Sequence, residues 1–560
     1  MERNRAVMQG HDHCDNRYIG TRRRQIVEFR TFFRSFRLTL CALAPLVSGA
    51  WGQETTLPIL PMESITEAEL RDHIFFLASD SLRGRMSHSE GFRLAAEYSA
   101  LHLGQAGLQA LYTDSAGSPS FFNNLQFVIS RVSRSASLAI QTGESERVLV
   151  VGDGFQLREM MATGADRSME GTPVFIGFGI EEPDLGWNDF DDLDLAGQVA
   201  VMAAGTPVRN GEPILPTREN QVYGTLRPSL SRRIESAMSR GVTTLIVVLE
   251  EGDTEYWDYA ATRFRGPLTR VATDGLEGDP VPAMSEVIFL KPEAAGWLLS
   301  GTGFDPTSRD GKYRTGPMEE VYLSLSISHD VEPDYVSPNV VGFIPGTDPF
   351  LRDEYIVVTA HLDHLGVRRG EVFNGADDNA SGSAAVLEVA EAMAMNPGKR
   401  SVLFVLFTAE ERGLLGSYAF TRNPPVPIED MVLNINLDMI GRNSPGFPDK
   451  LLALGSENGR PQVLEMIRQV NQEVGAPLDW DLIEGGGFDG HLERSDQLAF
   501  MQAGIPAVLI TRGFEGSEYH TATDDPETIN YEKVLHATRL TLALTQEAAN
   551  REDLNLGRSR

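Results

Sequence analysis

The sequence predicts an α/β fold: a mostly parallel mixed sheet flanked by helices, interrupted by a β-rich inserted module. Three observations carry this. From residue 337 onward, four apolar runs alternate with helical stretches, as βαβ units do. The runs (355–360, 401–409, 431–437 and 506–511) show little polar/apolar alternation, which suits strands buried on both faces. Between about 127 and 326 the pattern changes to short β-type runs separated by turn residues.

A chain of 560 residues is too long for one core, so two or more domains are expected. Arg30, Arg34 and Arg37 precede an apolar stretch from Leu38 to Val47, and Ser48-Gly49-Ala50 follows with small residues. This reads as a signal peptide cleaved near Ala50 to Gly52, with residues 1–52 as leader and the protein exported to the periplasm or beyond. Cys14 and Cys41 both lie in that leader, so the rest of the chain offers no disulfide or thiol chemistry. The leader carries 9 Lys and Arg against 4 Asp and Glu, which leaves 40 basic and 75 acidic residues, net −35. Such an acidic balance disfavours nucleic acid and anionic membranes as partners. No second long apolar run suggests a membrane span.

Residues 53–126 read as the first part of the main domain. Ser64-Ile65-Thr66-Glu67 suits a capped helix start, followed by an apolar face from Leu70, Ile74 and Leu77. A second helix fits 92–106, stopped by Gly107, and the stretch SLRGRMSHSEG between them reads as a polar loop. Residues 127–328 form the inserted module, with one helix expected at 229–240. Its acids Asp184, Asp189, Asp191, Asp192 and Asp194 read as a solvated turn. The main domain resumes over 329–550, with helices at 383–395, 461–474 and 531–549, and 551–560 is a tail.

Each of the four strands ends in candidate ligands. The first ends at His361 and Asp363, with Asp378 in the loop beyond. The second ends at Glu410-Glu411, the third at Asp438, and the fourth leads to Tyr519-His520. In a parallel sheet the carboxyl ends of the strands share one rim, where ligands collect. Two imidazoles and several carboxylates without cysteine suit zinc, cobalt or manganese. Five ligands exceed the needs of one catalytic zinc, so two divalent ions sharing a carboxylate fit better. One of Glu410 and Glu411 would then bind metal and the other take a proton from water. Spacing alone does not divide those roles.

The motifs HLD, GADDNASG, TAEERGLLGS, LDMIG, RSD and YHT, in this order, resemble the co-catalytic zinc exopeptidases of metallopeptidase family twenty-eight. The resemblance covers about residues 60–125 and 330–548, and implies the zinc-exopeptidase, phosphorylase/hydrolase-like fold. It implies metal ligands at His361, Asp378 (bridging), Glu411, Asp438 and His520, with Glu410 as general base. It makes Asp363 a carboxylate that orients His361, and implies a cis peptide at Asp378–Asn379. The stretches TPVFIGFGI and LDLAGQVAVMAAG resemble the protease-associated (PA) domain inserted in many members. Ser495 and Asp496 match the family's SD element near the substrate pocket, and His491 in GGGFDGH is a candidate near the oxyanion. His364 reads as a loop residue and His536 as structural.

The activity this implies is an aminopeptidase acting on peptides. A carboxypeptidase needs an arginine for the terminal carboxylate, and Arg227, Arg232, Arg233, Arg263 and Arg265 of the insert are candidates. A binding-only relative would have lost ligands, whereas all five and the base are present. A glutaminyl-cyclase-like transferase would use a single zinc.

Overall fold

The computed structural model describes residues 62–560 except 161–165, 211, 265–267, 273–283, 306–310, 445–448, 458, 515 and 557–560. The expected leader lies outside the described residues. Among those described, no helix is long and apolar enough to cross a membrane.

The main domain is built on a nine-stranded mixed sheet. Its strands are β1 (Phe122–Val132), β2 (Leu268–Val271), β3 (His329–Val331), β4 (Tyr335–Ile344), β5 (Tyr355–His361), β6 (Ser401–Phe407), β7 (Met431–Leu437), β8 (Leu452–Gly455) and β9 (Ala507–Thr511). The spatial order is β2-β1-β4-β6-β5-β7-β9-β8, with β3 also on β1. The four strands expected from the apolar runs, β6-β5-β7-β9, are the parallel centre. Every other pairing is antiparallel, so the edges return by hairpins and crossovers of a different kind.

The pleat explains the continuous apolar runs. In β6, Val402, Phe404 and Leu406 face one core while Leu403, Val405 and Phe407 face another. The larger core holds helices α1 (Glu67–Leu77), α2 (Glu90–Gln105), α3 (Gly382–Met395), α4 (Arg460–Val474) and α5 (Tyr531–Asn550). Thr66 caps α1 by accepting from the Glu69 amide, and Ser89 does the same for α2 from Phe92. Helix α3 is rich in alanine and buried almost throughout, which lets it lie close against the sheet. It opens at Gly382, where a Cβ would stand 2.6 Å from the Leu437 carbonyl at the end of β7. The helix therefore starts hard against the sheet rim.

The insert is less purely β than its sequence suggested. A six-stranded sheet has four parallel inner strands (Val174–Phe175, Val199–Ala203, Thr244–Val248 and Glu286–Leu290) between two antiparallel outer ones. A four-stranded antiparallel sheet completes it. One core lies between the sheets, and another lies between the six-stranded sheet and helices. Helices Thr217–Tyr223, Leu226–Met238 and Thr254–Arg263 stand where one was expected. Their faces are broken by arginines and acids, which weakened the apolar period. The expected boundary between 126 and 127 falls inside β1, and β2 returns from the insert to the edge of the main sheet. The acidic turn is solvated at Asp184, Asp191, Asp192 and Asp194, but Asp189 is buried. Its carboxylate accepts from the Phe178 and Ile180 amides, Trp187 Nε1 and Tyr313.

Candidate metal centre

Because β5, β6, β7 and β9 run parallel, their carboxyl ends meet. His361 closes β5, Glu410 and Glu411 follow β6, Asp438 follows β7, and His520 lies in the loop after β9. Asp378 comes from the wide turn Ala376–Ser381 that leads into α3. The Asp378–Asn379 peptide is cis. Ala409, Met439 and His520 hold left-handed φ angles of 55°, 56° and 56°. For residues other than glycine such conformations are costly and cluster at functional sites.

Asp378 stands between two groups. Its Oδ1 is 3.2 Å from His361 Nε2, which is also 3.4 Å from Asp438 Oδ1. Its Oδ2 is 3.2 Å from His520 Nε2, itself 3.2 Å from Glu411 Oε2. Glu410 Oε2 lies 3.9 Å from His361 Nε2, at the edge of the first group. The residue types and spacing fit divalent cations. His361, Asp378 and Asp438 offer ligand atoms close enough to share one ion, as do His364, Asp378 and Glu411. Asp438 Oδ1, Glu411 Oε1 and both ring nitrogens of His364 are buried without a hydrogen bond. Buried polar atoms left without a partner are costly, and a cation is the partner such a set calls for.

The electrostatics agree. Burial works against charge on His520, yet the Asp378 and Glu411 carboxylates raise it to about 10. Burial and the neighbouring Asp378 push Glu411 up, but His364 and His520 bring it down to about 2. Burial raises Glu410 well above the carboxylate range, and Glu411 and Asp438 add to the effect. Asp363 is lifted to about 6, chiefly by burial. Asp363, Asp378, Glu410, Glu411 and Asp438, five carboxylates, here compete for positive charge.

Supporting residues fix the ligands. Ser383 Oγ donates to the His361 carbonyl at 2.7 Å. Asp524 accepts from the amides of Asp377 and Asp378 and from Arg442 Nε. Asp377 in turn accepts from Arg512 Nε at 2.8 Å and the Gly441 amide at 2.6 Å. Asn379 spans from the Leu437 carbonyl to the Gly382 amide. Asp524, Arg442 and Arg512 leave no mark in the sequence, since an Asp or Arg in a loop carries no periodic signal.

Two expectations need correction. Asp363 does not orient His361 through its carboxylate. Its backbone carbonyl is 3.1 Å from His361 Nδ1, while its Oδ1 accepts from the Glu410 amide at 3.0 Å. With one residue between them, the carbonyl reaches the ring and the side chain turns to the neighbouring strand end. His364 is not an ordinary loop residue: it is buried, with Nδ1 2.8 Å from Glu411 Oε1 though out of line for a hydrogen bond. Ser495 and Asp496 are fully buried, as are His361 and Asp438. Ser495 joins a buried chain in which Asn436 donates to Ser495 and Gln497 and accepts from Thr359. Asp496 is raised to about 7, first by burial.

His491 is stacked on Phe514 with centroids 5.3 Å apart, in an aromatic cluster with Phe488. Of the arginines considered for a terminal carboxylate, Arg233 is buried and donates to the Phe178, Gly205 and Tyr223 carbonyls. Arg232 is paired with Glu182 at 2.9 Å. Arg265 and the side chains of Arg227 and Arg263 lie outside the described residues.

Residues 339–545 match the model of peptidase family M28. Aminopeptidase YwaD of Bacillus subtilis is 29% identical over 223 residues, 39% of this chain and 46% of that protein. Leupeptin-inactivating enzyme 1 of Streptomyces exfoliatus is 32% identical over 185 residues, 32% of this chain and 36% of that protein. The matched stretch thus spans less than half of either relative. The solved aminopeptidase from Aneurinibacillus sp. strain AM-1 aligns over 88% of this chain and 96% of its own, at 16% identity and a TM-score of 0.48.

Proposed function

Residues 339–545 belong to peptidase family M28, and from that premise we propose that the chain is a zinc-dependent aminopeptidase using two ions. The observation that carries this reading is Asp378, whose two carboxylate oxygens face two separate imidazole–carboxylate pairs. His361 and Asp438 would hold one ion, Glu411 and His520 the other, and Asp378 both. His364, against Glu411, would steady that carboxylate. When bound, such ions supply the Lewis acidity that makes water nucleophilic near neutral pH and polarises a carbonyl.

Glu410 then has a defined task. Its carboxylate takes a proton from the attacking water and delivers it to the nitrogen of the scissile amide. A C–O bond forms, the C–N bond breaks, and the leaving peptide departs with a neutral amine. Asp363 sets where Glu410 stands by holding its backbone amide. The concentration of acids at the rim favours a substrate with a free α-ammonium group. The two described arginines of the insert that were candidates for a terminal carboxylate are already engaged, which further favours the amino end. We read residues 1–52 as an export leader, so the site would act outside the cytoplasm.

The test uses the full chain loaded with zinc and a short peptide in free, N-acetylated and C-amidated forms, with products followed by mass. Loss of the first residue is expected from the free and amidated peptides but not the acetylated one, and it should vanish in Glu410→Gln. Cleavage that survives acetylation but not amidation would overturn the aminopeptidase reading.

A further inference from the structure

The loop between α1 and α2 buries an arginine. Arg85 is 1% exposed, and among the described residues its guanidinium bonds to no carboxylate. It donates instead to four backbone carbonyls on three segments. Nε reaches the Leu362 carbonyl at 2.9 Å, between His361 and Asp363. Nη1 reaches Asn374 at 2.7 Å and also Leu77 at the end of α1, and Nη2 reaches Gly375 at 3.0 Å. Asn374 and Gly375 lead directly into Asp377 and Asp378. The Arg85 carbonyl also accepts from the His364 amide at 3.2 Å.

The turn is shaped to make this reach. Arg83, Gly84 and Arg85 have φ of 50°, 68° and 47°. A Cβ on Gly84 would stand 2.2 Å from the Phe373 carbonyl and 2.7 Å from that of Gly366. Asp80, in the same turn, accepts from Asn374 Nδ2 at 2.9 Å. A buried cation with several carbonyl partners is a costly arrangement, and burial lowers Arg85 to about 10.

We propose that Arg85 is a positioning residue for the metal centre, its guanidinium clamping together the two segments that deliver His361 and Asp378. This rests on the two-ion reading above. Guanidinium presents its donors in a rigid planar fork, which a lysine ammonium cannot copy across three segments. Asp438, Glu411 and His520 sit on strand ends and a loop that Arg85 does not touch in any bond given above. The clamp therefore bears most on the ion shared by His361, Asp378 and Asp438.

The experiment titrates zinc into the full chain against a chromophoric chelator, for wild type, Arg85→Lys and Asp80→Ala, and compares cobalt absorption spectra. Arg85→Lys should bind one ion about 10- to 100-fold more weakly, the range for outer residues that orient ligands. The other ion, which shares Asp378, should be weakened less, and kcat should fall while KM holds. Asp80→Ala keeps the guanidinium and removes a part-buried contact whose donor, Asn374 Nδ2, still has Asp525, so it should fold and show a smaller loss at the same ion. Methylguanidinium should restore part of the affinity of Arg85→Ala. Two ions bound as tightly in Arg85→Lys and Asp80→Ala as in wild type, with unchanged cobalt spectra, would overturn the assignment alone. A wild type that binds no divalent ion would overturn the metal reading and the assignment with it.

Discussion

Replacing Glu388 by glutamine should make the protein more resistant to alkaline pH. Glu388 lies on α3, 5% exposed, with Oε1 3.1 Å from His73 Nε2 on α1. His73 Nδ1 is 2.7 Å from the Tyr98 hydroxyl on α2, so the contact joins three helices of the main core. The distance would suit an ion pair, but burial drives both groups toward their neutral forms. Burial and the nearby Glu69 raise Glu388 to about 8. Burial lowers His73 to about 4 despite Glu391, Glu69 and Asp72. His102, beside His73, is likewise lowered to about 4 by burial. A carboxyl with a raised folded pKa contributes stability below its unfolded value near 4.5, and loses it as pH rises through 8. The histidines work the other way: their contribution is present above about 6.5 and lost as pH falls toward 4. Between pH 6 and 8 the Glu388 contribution drops by about 2 kcal/mol, at 1.36 kcal/mol per pH unit and flattening near its pKa. Glutamine is the neutral isostere and has no such slope. Denaturant midpoints of wild type and Glu388→Gln, with zinc held saturating, should be close at pH 6 and separate in favour of the variant by about 2 kcal/mol at pH 8. A constant difference across that range, or a variant that falls further behind, would refute the neutral pair.

Other outcomes follow from the same contacts. Chelation should lower the melting temperature and zinc should restore it, since a ligand at 100 times its Kd stabilises by about 2.7 kcal/mol. Melting curves with and without chelator check this, and an unchanged curve would count against a structural stake of the ions. Asn436→Ala should cost about 1–3 kcal/mol, because it leaves the Thr359, Ser495 and Gln497 side chains without their buried partner. Denaturant titration measures the loss, and a change near zero would mean that chain rearranges.

Much of the site could be read along the chain. Each apolar run of the main domain ends in its ligand candidate, and both facts are local. A parallel sheet then brings those ends to one rim without knowledge of any particular contact, so His361, Glu410, Glu411, Asp438 and His520 emerge together. Outside the parallel centre, strands β1, β4 and β8 were not predicted, because Leu452–Gly455 is only four residues long and the other two span a change of pattern. The extra insert helices were lost for a related reason: their polar residues face solvent irregularly.

What the sequence by itself determined is the order of the four central strands and the helices between them, and the kinds of group at each strand end, since side-chain type and apolar period are properties of short stretches. What only the tertiary structure decided is which atoms meet. Whether Asp363 offers a carbonyl or a carboxylate to His361 depends on a two-residue turn packed against the next strand. Asp524 can hold the Asp377 and Asp378 amides only because a segment nearly 150 positions later folds back across them. Arg85 lies nearly 280 positions before the Leu362 carbonyl that it binds. Buried backbone groups must find partners wherever the chain brings them, and long-range closure alone settles which partner that is.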